Sequence, residues 1–350
     1  MSAPLYRDFA PQMDPVQGKV VLITGATGSF GRKMVMTLLR DYDPKKVIIF
    51  SRDELKQYEM RAELEEMFPK EKISRLRFFL GDVRDRLRLV TAFRGVDVVI
   101  HAAALKQVPA AEYNPSECIA TNVNGAENVV SACLQTGVHR VVALSTDKAC
   151  SPINLYGATK LASDKIFVAA NNMAGDTGIR FCAVRYGNVI GSRGSVVPLF
   201  KRLIANGSKT LPITDPRMTR FWITLDQGVN FVLSSLELMQ GGEIFVPKIP
   251  ATLMTDLATA MAPELEQPTV GIRPGEKLHE VMISADDARS TYELDDRYII
   301  EPEFAEYTRK SFAKVRGAKH VPEDFYYASD VNPERLDIDG IKALLAAYTG

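Results

Sequence analysis

The chain has 350 residues, 46% of them hydrophobic and 25% charged, which predicts a globular protein of one large domain or two ordinary ones. Its 43 basic and 43 acidic residues give a formal net charge of zero, so bulk charge gives no reason to expect a nucleic acid or a membrane surface as partner. The four cysteines are scattered and the four histidines form no ligand cluster, which argues against a disulfide framework and against a metal site.

Residues 1–18 are aperiodic and rich in proline, and we predict that they form an N-terminal arm. They lack the apolar core of a signal peptide. No run in the sequence approaches the roughly 18 consecutive apolar residues that span a bilayer. We therefore expect a cytoplasmic protein.

Strands and helices are predicted to alternate from residue 19 to residue 186. Short apolar runs predict strands at residues 19–23, 46–50, 76–80, 96–100, 140–144 and 180–185. The segments between them predict helices at residues 32–40, 54–68, 84–93, 115–136 and 156–171. Strands that alternate with helices form right-handed crossovers and a parallel sheet covered on both faces. The sequence therefore predicts an α/β fold of the Rossmann type, with a doubly wound parallel sheet.

The character of the chain changes after residue 186, where glycine, serine, proline and arginine become frequent. Residues 187–224 and 249–350 are predicted to form a smaller, mixed α/β substrate-binding lobe. Residues 225–248, which read as a helix and a strand, are expected to rejoin the sheet of the first domain, residues 19–186. The cleft between sheet and lobe is the expected ligand site.

Glycine occurs at every third position in the turn after the first predicted strand. In a strand–turn–helix context this spacing favours dinucleotide binding over an ordinary glycine-rich turn, because backbone can approach a pyrophosphate at the helix N-terminus. The cofactor-binding candidates in this turn are Gly25, Thr27, Gly28, Ser29, Phe30 and Gly31.

The second predicted strand ends at Ser51 and Arg52, where an acidic ribose ligand is usual in NAD-binding proteins. Arg52 with Ser51 could hold a 2′-phosphate, which favours NADP and makes residues 19–186 an NADP-binding domain. The alternative is that Arg52 is a solvated loop residue and that Asp53 binds the ribose. Further cofactor candidates follow the third and fourth strands, with a turn and simple packing as their alternative explanations: Asp82, Val83, Ala102, Ala103 and Ala104.

Tyr156 and Lys160 lie four residues apart and share one helix face. A neighbouring ammonium and the positive charge of an oxidised nicotinamide would lower the pKa of Tyr156, which could then take a proton from a sugar or alcohol hydroxyl. A surface pair is the alternative. The position after a Ser-Thr strand end in a dinucleotide fold favours the functional interpretation.

These motifs resemble those of the extended short-chain dehydrogenase/reductases. Within that superfamily, residues 105–115 (LKQVPAAEYNP), 145–150 (STDKAC) and 154–160 (NLYGATK) look like the UDP-N-acetylglucosamine 4,6-dehydratases. The similarity to the short, inverting members that open the pseudaminic acid pathway extends over most of the chain, including residues 273–277 and 328–330. The membrane-anchored relatives are longer, and many carry methionine in place of Tyr156.

The resemblance implies an NADP-dependent hydro-lyase that converts UDP-N-acetylglucosamine into a 4-keto-6-deoxy sugar of L-arabino configuration. This is the first step of pseudaminic acid biosynthesis for flagellin glycosylation. Similarity to the inverting dehydratases also suggests a homo-oligomer, either a dimer or a hexamer. The alternatives are a nucleotide-sugar epimerase of the same superfamily and a non-catalytic NADP-binding regulator.

The adjacent pair Asp147 and Lys148 carries the specific functional hypothesis. A C4 epimerase only oxidises C4 and returns the hydride, whereas a 4,6-dehydratase must also remove the C5 proton and expel the C6 hydroxyl. That requires one base and one acid, which we assign to Lys148 and Asp147, although the two roles could be exchanged. Tyr156 would take the C4 hydroxyl proton and Thr146 would hold O4. A helix cap with a solvated lysine is the alternative.

Substrate contacts are expected from the segments after the sixth strand and from Lys106, which is also a cofactor candidate. The family uses the corresponding asparagine for the sugar, residues 193–198 could clamp the diphosphate, and residues 211–214 resemble the strand that reads uracil through its backbone. Arginines suit bidentate phosphate binding, although a solvated surface position is the alternative for each. The candidates are Lys106, Asn188, Val196, Ile213, Thr214, Met218, Arg220, Arg273 and Glu276.

Overall fold

The computed structural model describes residues 7–192 and 194–347. The strands in these ranges are β1 Val20–Thr24, β2 Lys46–Ser51, β3 Leu76–Leu80, β4 Val98–His101, β5 Arg140–Leu144, β6 Arg180–Val184, β7 Asn188–Val189, β8 Thr219–Ile223, β9 Ile244–Pro247, β10 Ala251–Leu253, β11 Val281–Ile283, β12 Thr291–Glu293, β13 Arg297–Ile300, β14 Lys319–His320 and β15 Tyr327–Ala328.

The α-helices are α1 Ser29–Asp41, α2 Glu54–Met67, α3 Lys70–Ile73, α4 Arg86–Ala92, α5 Val108–Tyr113, α6 Pro115–Ile119, α7 Gly125–Thr136, α8 Leu155–Ala174, α9 Val196–Ala205, α10 Leu225–Leu238, α11 Met254–Met261, α12 Ala285–Ala288, α13 Phe312–Arg316 and α14 Ile338–Ala347. None of the helices in the described ranges is long and apolar enough to cross a membrane.

The main sheet contains seven parallel strands in the order β3-β2-β1-β4-β5-β6-β9. Its central strands are almost wholly buried and mostly apolar, because helices cover both faces. One core cluster lies on each face of these strands, with Leu38 and Phe231 in one and Phe93 and Phe167 in the other. The predicted Rossmann-type, doubly wound α/β fold is confirmed.

The sheet continues beyond β9 through three antiparallel strands, β13, β12 and β14. Residues 291–320 therefore supply strands to the main sheet, although the predicted boundary assigned residues 249–350 to the lobe alone. The sequence pattern missed them because antiparallel strands need no crossover helix, so the strand–helix alternation that marks the parallel strands is absent here. In β13 all four residues are nevertheless buried.

A long helical stretch was predicted at residues 115–136, and the structure divides it. Helix α6 passes into a π-helical turn at Ala120–Asn124 and then into α7. The buried Asn122 side chain within this turn bonds both the N–H and the C=O of Leu105. The turn thus fixes the loop that follows β4, and the short helix α5 in that loop was not predicted.

The smaller lobe packs α9, α11 and α14 around Trp222 on β8. A three-stranded sheet, β10-β8-β7, and the pair β11-β15 complete it. The N-terminal arm is anchored to the main domain, because Phe9 is buried against Phe231 with ring centroids 5.3 Å apart. The lobe faces the carboxyl ends of the parallel strands across a cleft, which residues of both line.

Candidate active site

A cavity of about 970 Å³ fills the cleft between the main sheet and the lobe. Every residue predicted for cofactor, catalysis or substrate lies on its wall except Asp147, namely Gly25, Thr27, Gly28, Ser29, Phe30, Gly31, Ser51, Arg52, Asp82, Val83, Ala102, Ala103, Ala104, Lys106, Thr146, Lys148, Tyr156, Lys160, Asn188, Val196, Ile213, Thr214, Met218, Arg220, Arg273 and Glu276. Arg193 lies outside the described residues.

The glycine turn has the close approaches that its spacing predicted. Gly25 adopts a φ of 65°, and a Cβ there would lie 2.8 Å from the backbone nitrogen of Ala103. A Cβ on Gly31 would lie 2.4 Å from Ala26 Cα, so only glycine lets α1 pack onto the turn. Gly28 caps α1 without a side-chain hydrogen bond, and the N-terminal amides of this helix face the cavity region as donors for an anion.

The carboxyl end of β2 presents a mixed set of charges. The Arg52 side chain is largely exposed and its Nη1 lies 3.8 Å from Asp82 Oδ2. Asp53 caps α2, where its carboxylate accepts the Lys56 N–H at 3.0 Å and pairs with Lys56 Nζ at 2.6 Å. The acidic side chain at this strand end is thus already engaged within the protein.

Tyr156 is placed by the start of α8. Asn154 caps this helix by accepting the Gly157 N–H at 2.7 Å, and it donates to the carbonyl of Gly275. A Cβ on Gly157 would lie 2.2 Å from the carbonyl oxygen of Lys148. Glycine at this position therefore allows the helix and the Lys148 segment to touch, which brings the two predicted pairs into one site.

In the protein alone the pKa of Tyr156 is raised, not lowered. Burial raises it to about 12, and the charge of Lys148 only partly opposes that effect. The predicted lowering by Lys160 together with an oxidised nicotinamide stays a prediction, because burial dominates the pKa of Tyr156 when the nicotinamide charge is not included. Burial instead lowers the pKa of Lys160 itself, against the opposing charge of Asp164. The missing signal was depth of burial, which the four-residue spacing does not report.

Asp147 and Lys148 form a buried ionic cluster with a third residue, Glu280. The Lys148 Nζ lies 3.1 Å from Asp147 Oδ1 and 3.1 Å from Glu280 Oε1. The side chains of Asp147 and Glu280 are only 1% and 2% exposed, whereas that of Lys148 is 26% exposed and reaches the cavity. Thr146 donates its hydroxyl hydrogen to Asp147 at 2.9 Å. Asp147 thus lies behind Lys148 and Thr146, not on the cavity wall.

In this cluster, neighbouring charges and burial shift the pKa values in opposite directions. Burial disfavours the Lys148 ammonium, but Asp147 and Glu280 outweigh it and raise the pKa of Lys148. Burial raises the pKa of Asp147, so this carboxyl group holds a proton more readily than an exposed one. The raised pKa of Asp147 suits a proton donor. The direction for Lys148 means that it starts as an ammonium, so the assigned base role requires it to lose a proton first.

Two predicted substrate residues are engaged within the protein. The Arg220 guanidinium donates to the carbonyls of Thr219, Lys277 and Leu278 at 2.7 to 3.0 Å, so it holds the 277–278 segment and is not open for bidentate phosphate binding. The backbone N–H and C=O of Ile213 bond to residues 268 and 270. Sequence spacing could not reveal either, because Lys277, Leu278 and the partners of Ile213 lie more than 50 residues away in the chain.

Four other substrate candidates, Asn188, Val196, Thr214 and Arg273, lie on the wall, while Met218, which also lines it, is buried in the core of the lobe. Asn188 Oδ1 lies 3.5 Å from Lys148 Nζ, which places an amide beside the ionic cluster. Arg273 is exposed at the mouth of the cavity, and Val196 begins α9. Thr214 follows the bonded Ile213 and lines the same wall.

The sequence analysis missed Glu280, the second carboxylate on Lys148. It lies just before β11, three positions after Lys277 in a segment with several polar residues. The available signal was the pattern of an acidic residue directly before the apolar run 281–283, which places the carboxylate at a strand start. Only the fold shows that this strand start meets the end of β5.

Comparison with known proteins agrees with this geometry. Residues 21–302 match the family described as polysaccharide biosynthesis protein. The chain belongs to the polysaccharide biosynthesis protein family. A member from Campylobacter jejuni strain 81-176, named UDP-N-acetylglucosamine 4,6-dehydratase (inverting), is 57% identical over 91% of this chain and 94% of its own length. The resemblance drawn from the sequence motifs is confirmed.

Other proteins that are similar to this chain bear different names. A protein from Rickettsia canadensis named UDP-glucose 4-epimerase is 42% identical over 93% of this chain and 95% of its own length. The X-ray structure of Pen from Bacillus thuringiensis superposes with a TM-score of 0.84 at 33% identity, covering 95% of this chain and 98% of that one. Family membership is thus clear, while the activity within the family must be argued from the site.

Proposed function

We propose that this protein is a C5-inverting UDP-N-acetylglucosamine 4,6-dehydratase that uses NADP. The observation that carries the proposal is the buried cluster of Asp147, Lys148 and Glu280, whose Lys148 and Glu280 line the same cavity as Tyr156 and the glycine turn. The 57% identical Campylobacter jejuni relative carries this activity as its name. The product is then a 4-keto-6-deoxy sugar of L-arabino configuration, the first intermediate of pseudaminic acid biosynthesis.

The cavity fits a nicotinamide dinucleotide. The close contacts at Gly25 and Gly31 leave no room for a side chain beside the α1 N-terminus, whose amides suit a pyrophosphate. Asp53 is engaged by Lys56, whereas Arg52 is largely exposed and has only a 3.8 Å contact with Asp82, so it can bind a ribose 2′-phosphate, which favours NADP. When bound, the nicotinamide supplies oxidation at sugar C4 and reduction at C6.

Tyr156 holds and moves the proton of the C4 hydroxyl. With a pKa near 12 in the protein alone, it needs a further positive charge in the closed site before it acts as a base. Lys148 already acts in that direction. Thr146, at the carboxyl end of β5, has a hydroxyl on the cavity wall that can hold O4. Lys160 on the same helix face orients the ribose.

Elimination uses the ionic cluster. A 4-ketone acidifies the C5–H, whose proton passes to the base while its electron pair forms the C5–C6 double bond. The C6–O bond breaks and the oxygen leaves as water with a proton from the acid. The raised pKa of Asp147 supports the acid role. Once Lys148 is a neutral amine, its Nζ, 3.1 Å from Asp147 Oδ1, can accept the Asp147 proton and pass one on to the departing C6 oxygen. Lys148 serves as base after its ammonium proton has passed to solvent through the cavity, which its side chain reaches.

The second candidate is a nucleotide-sugar 4-epimerase, which the 42% identical Rickettsia canadensis relative favours by name. A C4 epimerase has no use for an acid and a base at C5 and C6, so the buried cluster argues against it. A non-catalytic regulator would have no reason to bury Tyr156 beside the cluster. The cytoplasmic location and the homo-oligomeric state stay predictions.

Product analysis tests the proposal. The protein is incubated with UDP-N-acetylglucosamine and NADP, and the sugar is followed by proton NMR. We expect the C6 hydroxymethyl signals to be replaced by a methyl group beside a ketone or its hydrate. A 4-epimer with its C6 hydroxyl intact would favour the epimerase, and unchanged substrate with bound NADP would favour the regulator.

A further inference from the structure

Glu280 shares the Lys148 ammonium with Asp147, although it lies in a different part of the fold. Its Oε1 is 3.1 Å from Lys148 Nζ, the same distance as Asp147 Oδ1 on the other side. Its Oε2 has no hydrogen-bond partner among residues 7–192 and 194–347, and the residue lines the cavity. A buried carboxylate with an unpaired oxygen is costly unless it has a task.

The position of Glu280 is fixed from both sides. Its N–H donates to Ser329 Oγ at 2.9 Å, and its carbonyl accepts the Ser329 N–H at 2.8 Å. The Arg220 guanidinium clasps the carbonyls of Lys277 and Leu278 just before it. These hydrogen bonds hold the backbone of Glu280 in place, so a fixed segment of the lobe positions its carboxylate against Lys148.

The two carboxylates on Lys148 have different surroundings. Glu280 also faces Arg220, whose Nε lies 3.7 Å from its Oε1. Burial works against the charge of Glu280, yet Lys148 and Arg220 outweigh it and lower its pKa. Among the residues that the structure describes, the ion-pair partner of Asp147 is Lys148 and not an arginine, and burial raises the pKa of Asp147. Two buried carboxylates around one ammonium do not both ionise easily, so the one with the second cation keeps the charge.

We propose that Glu280 is a positioning residue of the elimination reaction, which anchors the Lys148 side chain and leaves the dissociable proton of the two carboxylates on Asp147. The inference rests on the proposed dehydratase function. Asp147 then enters each turnover as a neutral acid, ready to protonate the departing C6 oxygen. Glu280 acts through its neighbours and takes no part in bond breaking.

The pH dependence of the cluster follows from the charged and titratable groups that face it. These are Asp147, Lys148, Tyr156, Lys106, Arg220, Lys277 and Glu280. The negative charge of Glu280 favours the protonated forms of both Asp147 and Lys148. Removing that charge while keeping the shape of the side chain lowers both pKa values, so the whole profile of kcat against pH moves to lower pH.

The test compares the NADP-loaded wild type with Glu280→Gln. We expect the kcat profile of Glu280→Gln to move down by about one to three pH units. At the wild-type optimum kcat falls at least about tenfold, because the general acid is lost there, while KM stays close to its wild-type value. Glu280→Asp keeps the charge, so it retains the wild-type profile with a lower kcat. Glu243→Gln, which neutralises a buried carboxylate paired with Arg309 outside the cavity, leaves the profile unchanged.

The outcomes distinguish a failure of the dehydratase function from a failure of the role proposed for Glu280. A wild type that forms no 6-deoxy-4-keto sugar overturns the dehydratase function and this role with it. A wild type that forms it while Glu280→Gln keeps kcat and profile overturns the role of Glu280 alone. Equal loss of kcat in both Glu280 variants with unmoved profiles means a structural role and also overturns it. Should Glu280→Gln not fold, a displaced profile in Glu280→Asp contradicts the proposal.

Discussion

Replacing Lys148 by methionine should leave two carboxylates buried without their shared cation. Asp147 and Glu280 expose only 1% and 2% of their side chains, and Lys148 Nζ lies 3.1 Å from each. Removing one partner of a buried ionic cluster typically costs about 3–5 kcal/mol when the remaining charge is uncompensated, and Arg220, 3.7 Å from Glu280, places the loss at the low end of that range. Methionine fills a similar volume, so we expect the loss to be electrostatic and to approach 3 kcal/mol at neutral pH.

The pH dependence identifies the cause. Burial holds the pKa of Asp147 above its usual value, and loss of Lys148 removes the charge that opposes this. A carboxyl group whose pKa is raised in the folded state destabilises the fold at pH values above that pKa, and the destabilisation disappears below the pKa of the unfolded chain. The free energy of unfolding of Lys148→Met should therefore approach that of the wild type as the pH falls towards 4.

Urea unfolding at several pH values measures this difference. Lys33→Met is the matched control, because Lys33 pairs at 2.7 Å with the more exposed Asp226 and its loss should cost less than about 1 kcal/mol. Dehydration should fall about 10²–10⁴-fold in Lys148→Met, as expected for loss of a general base. A stability loss that is the same at every pH would refute the charge argument, and full dehydration activity would refute the role of Lys148 as the C5 base.

Three further predictions concern the cofactor end of the site. Tyr156→Phe should lower turnover about 10²–10⁴-fold. In the wild type, an ultraviolet titration should find the Tyr156 phenolate near pH 12 without NADP and at lower pH with NADP. A titration that NADP does not shift would contradict the role of Tyr156 as the base at C4. Gly31→Ala should lose about 1–3 kcal/mol of stability and bind NADP more weakly by calorimetry, because its Cβ would lie 2.4 Å from Ala26 Cα; unchanged binding would show that the turn can relax. Arg52→Ala should weaken NADP binding by about 1–3 kcal/mol and leave NAD binding unchanged, whereas equal effects on both cofactors would refute a 2′-phosphate contact.

The parallel half of the fold was predictable because its signals are local. Apolar runs of strand length, a glycine turn and intervening helices define β1 to β6 along the sequence. The antiparallel extension through β13, β12 and β14 was not predictable in the same way. Its strands are short, and their pairing joins residues that no periodic pattern connects.

The site divides along the same line. Tyr156, Lys148 and the glycine turn could be found because each lies in one short motif at the end of a strand. Glu280 could not, since it reaches Lys148 from 132 positions along the chain. Arg220 was predicted to bind the substrate, but its guanidinium donates hydrogen bonds to backbone carbonyls of the lobe. Burial also decides the pKa values, and sequence spacing carries no measure of burial.

The most direct test of the account is turnover of UDP-N-acetylglucosamine in heavy water with NADP, followed by NMR of the sugar. Removal and return of the C5 proton through the Asp147–Lys148 cluster predicts a 6-deoxy-4-keto product with one deuterium at C5 and the L-arabino configuration. A product that keeps its C6 hydroxyl and carries hydrogen at C5 would contradict the account.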